Sequence, residues 1–234
     1  MLSMRTLDRL ASISMFLNSA PGMRGGHPAD ETLTAGTQLP GLVPALQDGD
    51  VRLRVAAAAL NRGRELRDRL TQVWALAETD EAAALDAVNA LLAEVGPLRL
   101  VSTGDAAGFA PAQDPSDAVE RLAALAALAL AEAAVEGELS RLRVCAGEGC
   151  ENTLVDASRN RSKRFCDAAN CANRTHVRSY RARLAEAADA EPAAAADRED
   201  EAAKAKKHKK DKDEKKAKKA KKSEKKGKKH KKES

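Results

Sequence analysis

The stretch RLRVCAGEGCENTLVDASRNRSKRFCDAANCANRTHVRSYRARL, Arg141 to Leu184, holds all four cysteines of a 234-residue chain. Cys145, Cys150, Cys166 and Cys171 follow the pattern C-x4-C-x15-C-x4-C. Two close pairs joined by a mid-length loop suit tetrahedral zinc, because each pair offers two thiolates from one turn and the loop lets the turns converge on one ion. Gly147 and Gly149 lie inside CAGEGC, where the backbone must curl tightly to aim both sulfurs inward. Two disulfides are the competing reading and require an oxidising compartment. The start of the chain, MLSMRTLDRLASISMFLNSA, sets Asp8 and Arg9 ahead of a short apolar run and makes a poor signal peptide, so a cytosolic protein with one Zn2+ is expected. Four thiolate ligands leave no open position, which makes the expected metal structural and not catalytic.

Working outward, charge divides the chain more sharply than its formal net of +5 suggests. Residues 1–140 carry 11 basic and 19 acidic side chains, and residues 141–184 carry 10 and 4. Residues 197–234 carry 19 and 9, with 18 of the 19 lysines between Lys204 and Lys232. An acidic body, a basic module and a basic tail point to a polyanionic partner. Aromatic residues make up only 2%, too few for a surface that stacks several bases. The longest apolar run, Leu122 to Ala131, is well short of the roughly 18 residues that a membrane span needs.

The body reads as mainly helical, with a minor strand pair. Residues 1–50 are the least legible: a short start, then a Gly/Pro-rich loop GMRGGHPADE and a second punctuated stretch. From an N-cap at Asp50 a helix is expected to Ala77, with Leu66, Leu70, Val73, Trp74 and Ala77 on its core face. A second helix is expected over 80–95, with Leu85, Val88, Leu92 and Val95 on one side and Gly96-Pro97 as its stop. Leu98 to Val101 suits a short strand. Asp114-Pro115 reads as N-cap and first helical residue of a helix running to Leu142, apolar enough to be buried on several sides. The loops at 21–36 and 102–113 carry no obvious binding chemistry. The organisation expected is a helical domain over 1–140, a zinc module over 141–184 and a disordered Lys-rich tail over 185–234.

After Cys171 a further helix is expected, with Val177, Tyr180 and Leu184 facing inward and Arg174, Arg178 and Arg181 forming a stripe at i, i+4 and i+7. Such a stripe on a zinc scaffold suits phosphates or a major groove. Arg159, Arg161, Lys163 and Arg164, in the loop SRNRSKR, suit phosphate contacts. The plainer alternatives are that Arg174 braces the zinc turn or pairs with Asp156 or Asp167, and that Asn173 bonds local backbone. Tail lysines would add affinity without sequence preference through counterion release. DNA is the leading partner; RNA or another polyanion suits the tail as well. An enzyme is not expected: His27 and His176 are the only histidines outside the tail, and no nucleophile–base pair or phosphate loop is visible.

The cysteine stretch resembles the CGNR zinc-finger family, whose two C-x4-C pairs flank a D-x-S-R-N segment, here Asp156 to Asn160, and a basic-aromatic-Cys step, here KRFC from Lys163 to Cys166. The family's Gly-Asn-Arg after the last cysteine is Ala172-Asn173-Arg174 in this chain. The acidic body, with FLNSA at Phe16 to Ala20, is similar to the ABATE domain that precedes this finger in bacterial stress-responsive transcription regulators. The resemblance implies a zinc-dependent DNA-binding transcription regulator; a cytoplasmic, nucleoid-associated protein is expected, with the helical domain read either as a homodimer interface or as a sensor for a small ligand. The alternative is a zinc-stabilised RNA- or protein-interaction module without sequence-specific DNA binding.

Overall fold

The illegible start is a full helix in the computed structural model, which describes residues 2–47, 54–102 and 107–187. Helix α1, Met4–Leu17, opens on Ser3, whose Oγ accepts the Thr6 N–H at 3.1 Å, and buries Leu10, Ile13, Phe16 and Leu17 on one face. The stretch expected to be a loop then makes an antiparallel pair, β1 (Gly22–Arg24) and β2 (His27–Ala29), in which Met23 faces Pro28. Gly25 and Gly26 turn it with φ of 57° and 83°, values that favour glycine. Short helical turns, including α2 (Leu39–Leu42), bring Leu33, Leu39, Val43 and Leu46 to the core.

Helix α3 spans Ala59–Thr79 and buries the expected Leu66, Leu70, Val73 and Trp74. Residues 54–58 ahead of it are not helical, and the expected N-cap, Asp50, lies outside the described residues. Asp80 caps α4 (Glu81–Val95) by accepting the Ala83 N–H at 3.1 Å. Its buried face is Ala84, Val88 and Leu91, and the expected Leu85 is 40% exposed. The expected Val88 is buried, and the expected Leu92 and Val95 are half-buried against the core. Strand β3, Leu98–Ser102, pairs antiparallel with β4, Ala107–Pro111, which falls in a stretch expected to be loop.

Helix α5, Ala118–Val135, is the centre of the body and packs against α1, α3 and α4. Ten of its residues are buried, from Ala118 to Ala133, which accounts for its near-continuous apolar surface. Its cap is Asp117 and not Asp114: the carboxylate accepts N–H groups from Val119 and Glu120 at 2.9 and 3.0 Å and is held by Arg62 at 2.6 Å. The helix stops at Val135, short of the expected Leu142, because Gly137 takes φ 64° and turns the chain out of it. The released segment forms β5, Leu142–Val144, antiparallel to β6, Thr153–Val155. Each fully buried leucine or phenylalanine in this core contributes about 1.5–3 kcal/mol.

Arg67, Asp117 and Glu138 are charges buried in the body. Arg67 is 3% exposed, yet its guanidinium donates to both carboxylate oxygens of Glu31 and to Ser19 Oγ, the last at 2.9 Å. Such pairing is what makes a buried cation tolerable. In return the Arg67 hydrogen bond holds the Glu31 carboxyl below its ordinary pKa.

The chain divides into two compact units, Met1–Thr175 and His176–Ser234. The first contains the helical body and all four cysteines. Residues 171–187 are helical, here α6. From His176 onward every described residue is exposed, including Val177, Tyr180 and Leu184 at 40%, 57% and 53%, against the inward face expected for them. Their spacing aligns them on one side of a helix, but among the described residues nothing packs opposite. The expected disorder of the tail falls on residues 188–234, outside the described residues. Among the described residues no helix is long and apolar enough to cross a membrane.

Candidate metal centre

Strands β5 and β6 hold the first cysteine pair between them. Cys145 follows β5 and donates its N–H to Asn152 O at 2.8 Å, and Cys150 closes the turn by donating to Gly147 O at 3.0 Å. Gly149 within the turn has φ 63°. At Gly147 space decides, since a Cβ there would come within 2.8 Å of both Cβ and Sγ of Cys171. Cys166 ends the intervening loop, and Cys171 begins α6 one turn further on, after Asn170 with φ 48°. Ala172 itself is helical, so the position at which the finger family carries glycine needs no left-handed backbone here.

All four cysteines are buried, and their sulfurs lie within 4.8 Å of one another. Cys150 and Cys166 Sγ are 3.8 Å apart, and Cys166 and Cys171 Sγ are 3.7 Å apart. Zinc–thiolate bonds of about 2.3 Å in a tetrahedron require sulfur separations of about 3.8 Å, so the donor set fits zinc in chemistry and in size. The four sulfurs make a closed site for one zinc ion. Burial pushes the Cys171 and Cys145 thiols up, and neighbouring thiols push Cys171 further. Burial opposes ionisation of Cys166 too, but donors led by the Asn152 amide, at 3.3 Å, outweigh it and hold that thiol below its ordinary pKa. Backbone N–H groups of Gly147 and Cys166 also point at Cys145 Sγ, at 3.4 and 3.3 Å. A divalent ion held by the four sulfurs would supply the remaining charge that lets all four thiols deprotonate.

The basic loop between the pairs is closed around Asp156, which is fully buried. Its carboxylate accepts the Ser158 N–H at 2.9 Å, the Ser158 hydroxyl at 2.5 Å and the Lys163 N–H at 3.0 Å, with the Arg143 guanidinium 3.7 Å away. Burial works against this charge, and the Ser158 and Lys163 donors together with Arg143 overcome it, so the carboxyl lies below its ordinary range. A second buried pair, Glu138 and Arg141, braces the loop from the body side: Arg141 Nη1 donates to Asp156 O at 2.7 Å and Ser158 O at 2.9 Å.

The residues expected to meet nucleic acid separate into paired and unpaired. Arg159 and Arg164 are exposed, and no carboxylate pairs with either among the described residues. Arg161 pairs with Glu138 at 3.1 Å, and Lys163 with Asp167 at 2.6 Å. Arg174 pairs with neither Asp156 nor Asp167; its guanidinium lies against the Gly25–Gly26 turn. Arg178 and Arg181 are exposed on α6, in the second unit.

The body also reaches the site through residues outside the cysteine stretch. Trp74 Nε1 donates to Leu154 O at 3.3 Å, Asn18 Nδ2 to Thr153 O at 2.9 Å, and Thr153 N–H to Asn18 Oδ1 at 2.8 Å. FLNSA thus supplies a side-chain clamp for β6. Asn152 gives no signal beyond its place two residues after a cysteine. The D-x-S turn at Asp156 does give one, as a local side-chain-to-backbone motif.

The family model for the CGNR zinc finger matches residues 141–184, and that of the ABATE family, described as "Putative stress-induced transcription regulator", matches residues 13–137. No curated protein matches the chain. The ABATE match spans more than half of the 234 residues and the four sulfurs are gathered as a zinc finger requires, so the chain belongs to the ABATE family and carries a CGNR zinc finger.

Proposed function

We propose that this protein is a zinc-dependent DNA-binding transcription regulator of the cytoplasm and nucleoid, and not an enzyme. The observation that carries the reading is the loop 157–164, tied down at Asp156 and at Cys166, with Arg159 and Arg164 exposed and paired with no carboxylate among the described residues. Ordering a long cationic side chain's backbone beforehand lowers the entropy lost on meeting a phosphate. The family assignment supports regulation, and the acidic body disfavours contact with a polyanion anywhere but at the basic module. Arg178 and Arg181 on α6 and the 18 tail lysines would add further cationic contacts, the lysines without sequence preference. The expected homodimer would use the body, whose β3–β4 hairpin leaves Leu98, Leu100 and Phe109 exposed.

A second reading, an RNA- or protein-interaction module, is favoured by the exposed Val177, Tyr180 and Leu184 on α6, an apolar face that duplex DNA does not need. Binding of the zinc-loaded chain to a pool of promoter duplexes and to scrambled duplex, across salt, separates the two. A preferred duplex that persists when residues 188–234 are removed supports the regulator. Equal binding to every duplex at each salt concentration rejects it. In the regulator, Arg159→Ala with Arg164→Ala lowers the slope of log affinity against log salt by about 2, one for each phosphate that is no longer neutralised.

A further inference from the structure

The turn between β1 and β2 lies on the metal knuckle. Gly26 donates its N–H to Gly149 O at 2.6 Å, Glu151 donates its N–H to Met23 O at 2.9 Å, and Met23 donates its N–H to Glu151 Oε2 at 2.8 Å. The approach leaves little room for side chains on either partner. A Cβ on Gly149 would lie 3.1 Å from Gly26 Cα, and a Cβ on Gly25 would lie 2.9 Å from the Ala169 methyl. Over the same turn lies Arg174, with Nη1 and Nη2 each 3.0 Å from where a Cβ of Gly25 and of Gly26 would be. No carboxylate pairs with Arg174 among the described residues, so its planar group is placed by the turn beneath it and by the first turn of α6 that also provides Cys171.

We propose that Arg174 and the Gly25–Gly26 turn are positioning parts of the metal centre: the arginine clamps the body's turn onto the Cys145–Cys150 knuckle, which slows zinc loss, and bound zinc in return orders the turn. The knuckle's curl depends on the sulfurs converging, since Gly147 lies directly against Cys171 Sγ. Without the ion four thiols have no reason to hold that curl, and the acceptor at Gly149 and the donor at Glu151 drift from the turn. Binding linkage makes the effect reciprocal: whatever the ordered turn adds to zinc affinity, zinc adds to the order of the turn. Arg174 is thereby removed from the set of nucleic-acid contacts, while Arg159 and Arg164 are unaffected.

The test uses the full chain loaded with zinc, with release followed by transfer of the ion to a coloured chelator and hydrogen exchange read at residues 22–26. Arg174→Ala is expected to release zinc about tenfold faster or more, the usual size of an outer-shell effect, and to raise exchange at 22–26 while 98–102 stays unchanged. Gly26→Ala is expected to speed release more in the presence of Arg174 than in Arg174→Ala, because its strain at positive φ is common to both backgrounds and only the contact with the guanidinium is removed. Wild-type release from Arg174→Ala, or strict additivity of the two substitutions, overturns the proposal. Should Arg174→Ala raise exchange throughout α1 and α5, Arg174→Lys carries the test, since it keeps the charge and loses the planar fork. Faster release from Arg174→Lys supports the clamp, and wild-type release rejects it.

Discussion

The two hairpins of the body are alike in local structure and opposite in circumstance. β1–β2 is short, glycine-rich and joined to the knuckle by hydrogen bonds through Met23 and Gly26. β3–β4 is longer, pairs five residues with five, and shows Leu100 and Phe109, which face one another across the strands, at 68% and 54% exposure. The first has little apolar surface and depends on what it touches; the second is held by its own register. What distinguishes them is the zinc site, and loss of the ion should act on one and spare the other.

The largest effect expected on that contrast comes from Gly147→Val. The new side chain has no room beside Cys171, so zinc content, measured by elemental analysis, falls from one per chain to near zero, and hydrogen exchange of β1–β2 becomes fast while that of β3–β4 keeps its wild-type rate. Next is Asp156→Ala, which leaves the Ser158 and Lys163 N–H groups and Arg143 without their buried acceptor; about 3 kcal/mol of stability should be lost in denaturant titration.

These two positions differ in how readily the sequence announces them. The cysteine spacing is a local pattern with a chemical requirement behind it, and Gly147 follows from it. The apolar faces of α3 and α5 are equally direct, because burial repeats with the helical period. The β1–β2 hairpin is hidden within GMRGGHPADE, since three-residue strands have no period to read and their partner lies more than 120 residues away in the chain. The end of α5 is obscured for a related reason: Glu136, Glu138, Leu139, Arg141 and Leu142 are residue types that continue to favour helix beyond Val135, and Gly137 turns the chain ahead of β5. Val177, Tyr180 and Leu184 show the converse, a regular face with nothing packed on it among the described residues.

A smaller effect is expected from pH. Arg67 holds Glu31, and Arg141 holds Glu138, below the ordinary carboxylate value of 4.5. A carboxyl depressed by folding contributes stability that is whole above its unfolded pKa and is lost as pH falls through the folded one, so these anchors weaken only below about pH 4.5. Zinc thiolates take up protons on release, which makes metal loss an acid-driven step as well. Acid titration followed by hydrogen exchange should therefore open β1–β2 before the carboxylate anchors fail, with β3–β4 opening later. Simultaneous opening of the two hairpins would remove the distinction. The smallest effect is that of Phe109→Ser, an exposed position, expected to change stability by less than about 0.5 kcal/mol and zinc content not at all.

Trp74 offers the most direct measurement of the central claim, that one zinc ion holds the four-cysteine part of the finger, residues 141–175, and the helical body as a single folded unit. It is the only tryptophan of the chain, it is fully buried in the body, and its indole N–H donates to Leu154 between the cysteines. Titration of zinc into the metal-free full chain should shift its emission to the blue and saturate at one ion per chain, and a chelator should reverse the shift. An emission indifferent to zinc while one ion binds tightly would show a finger that folds apart from the body, and would contradict that claim.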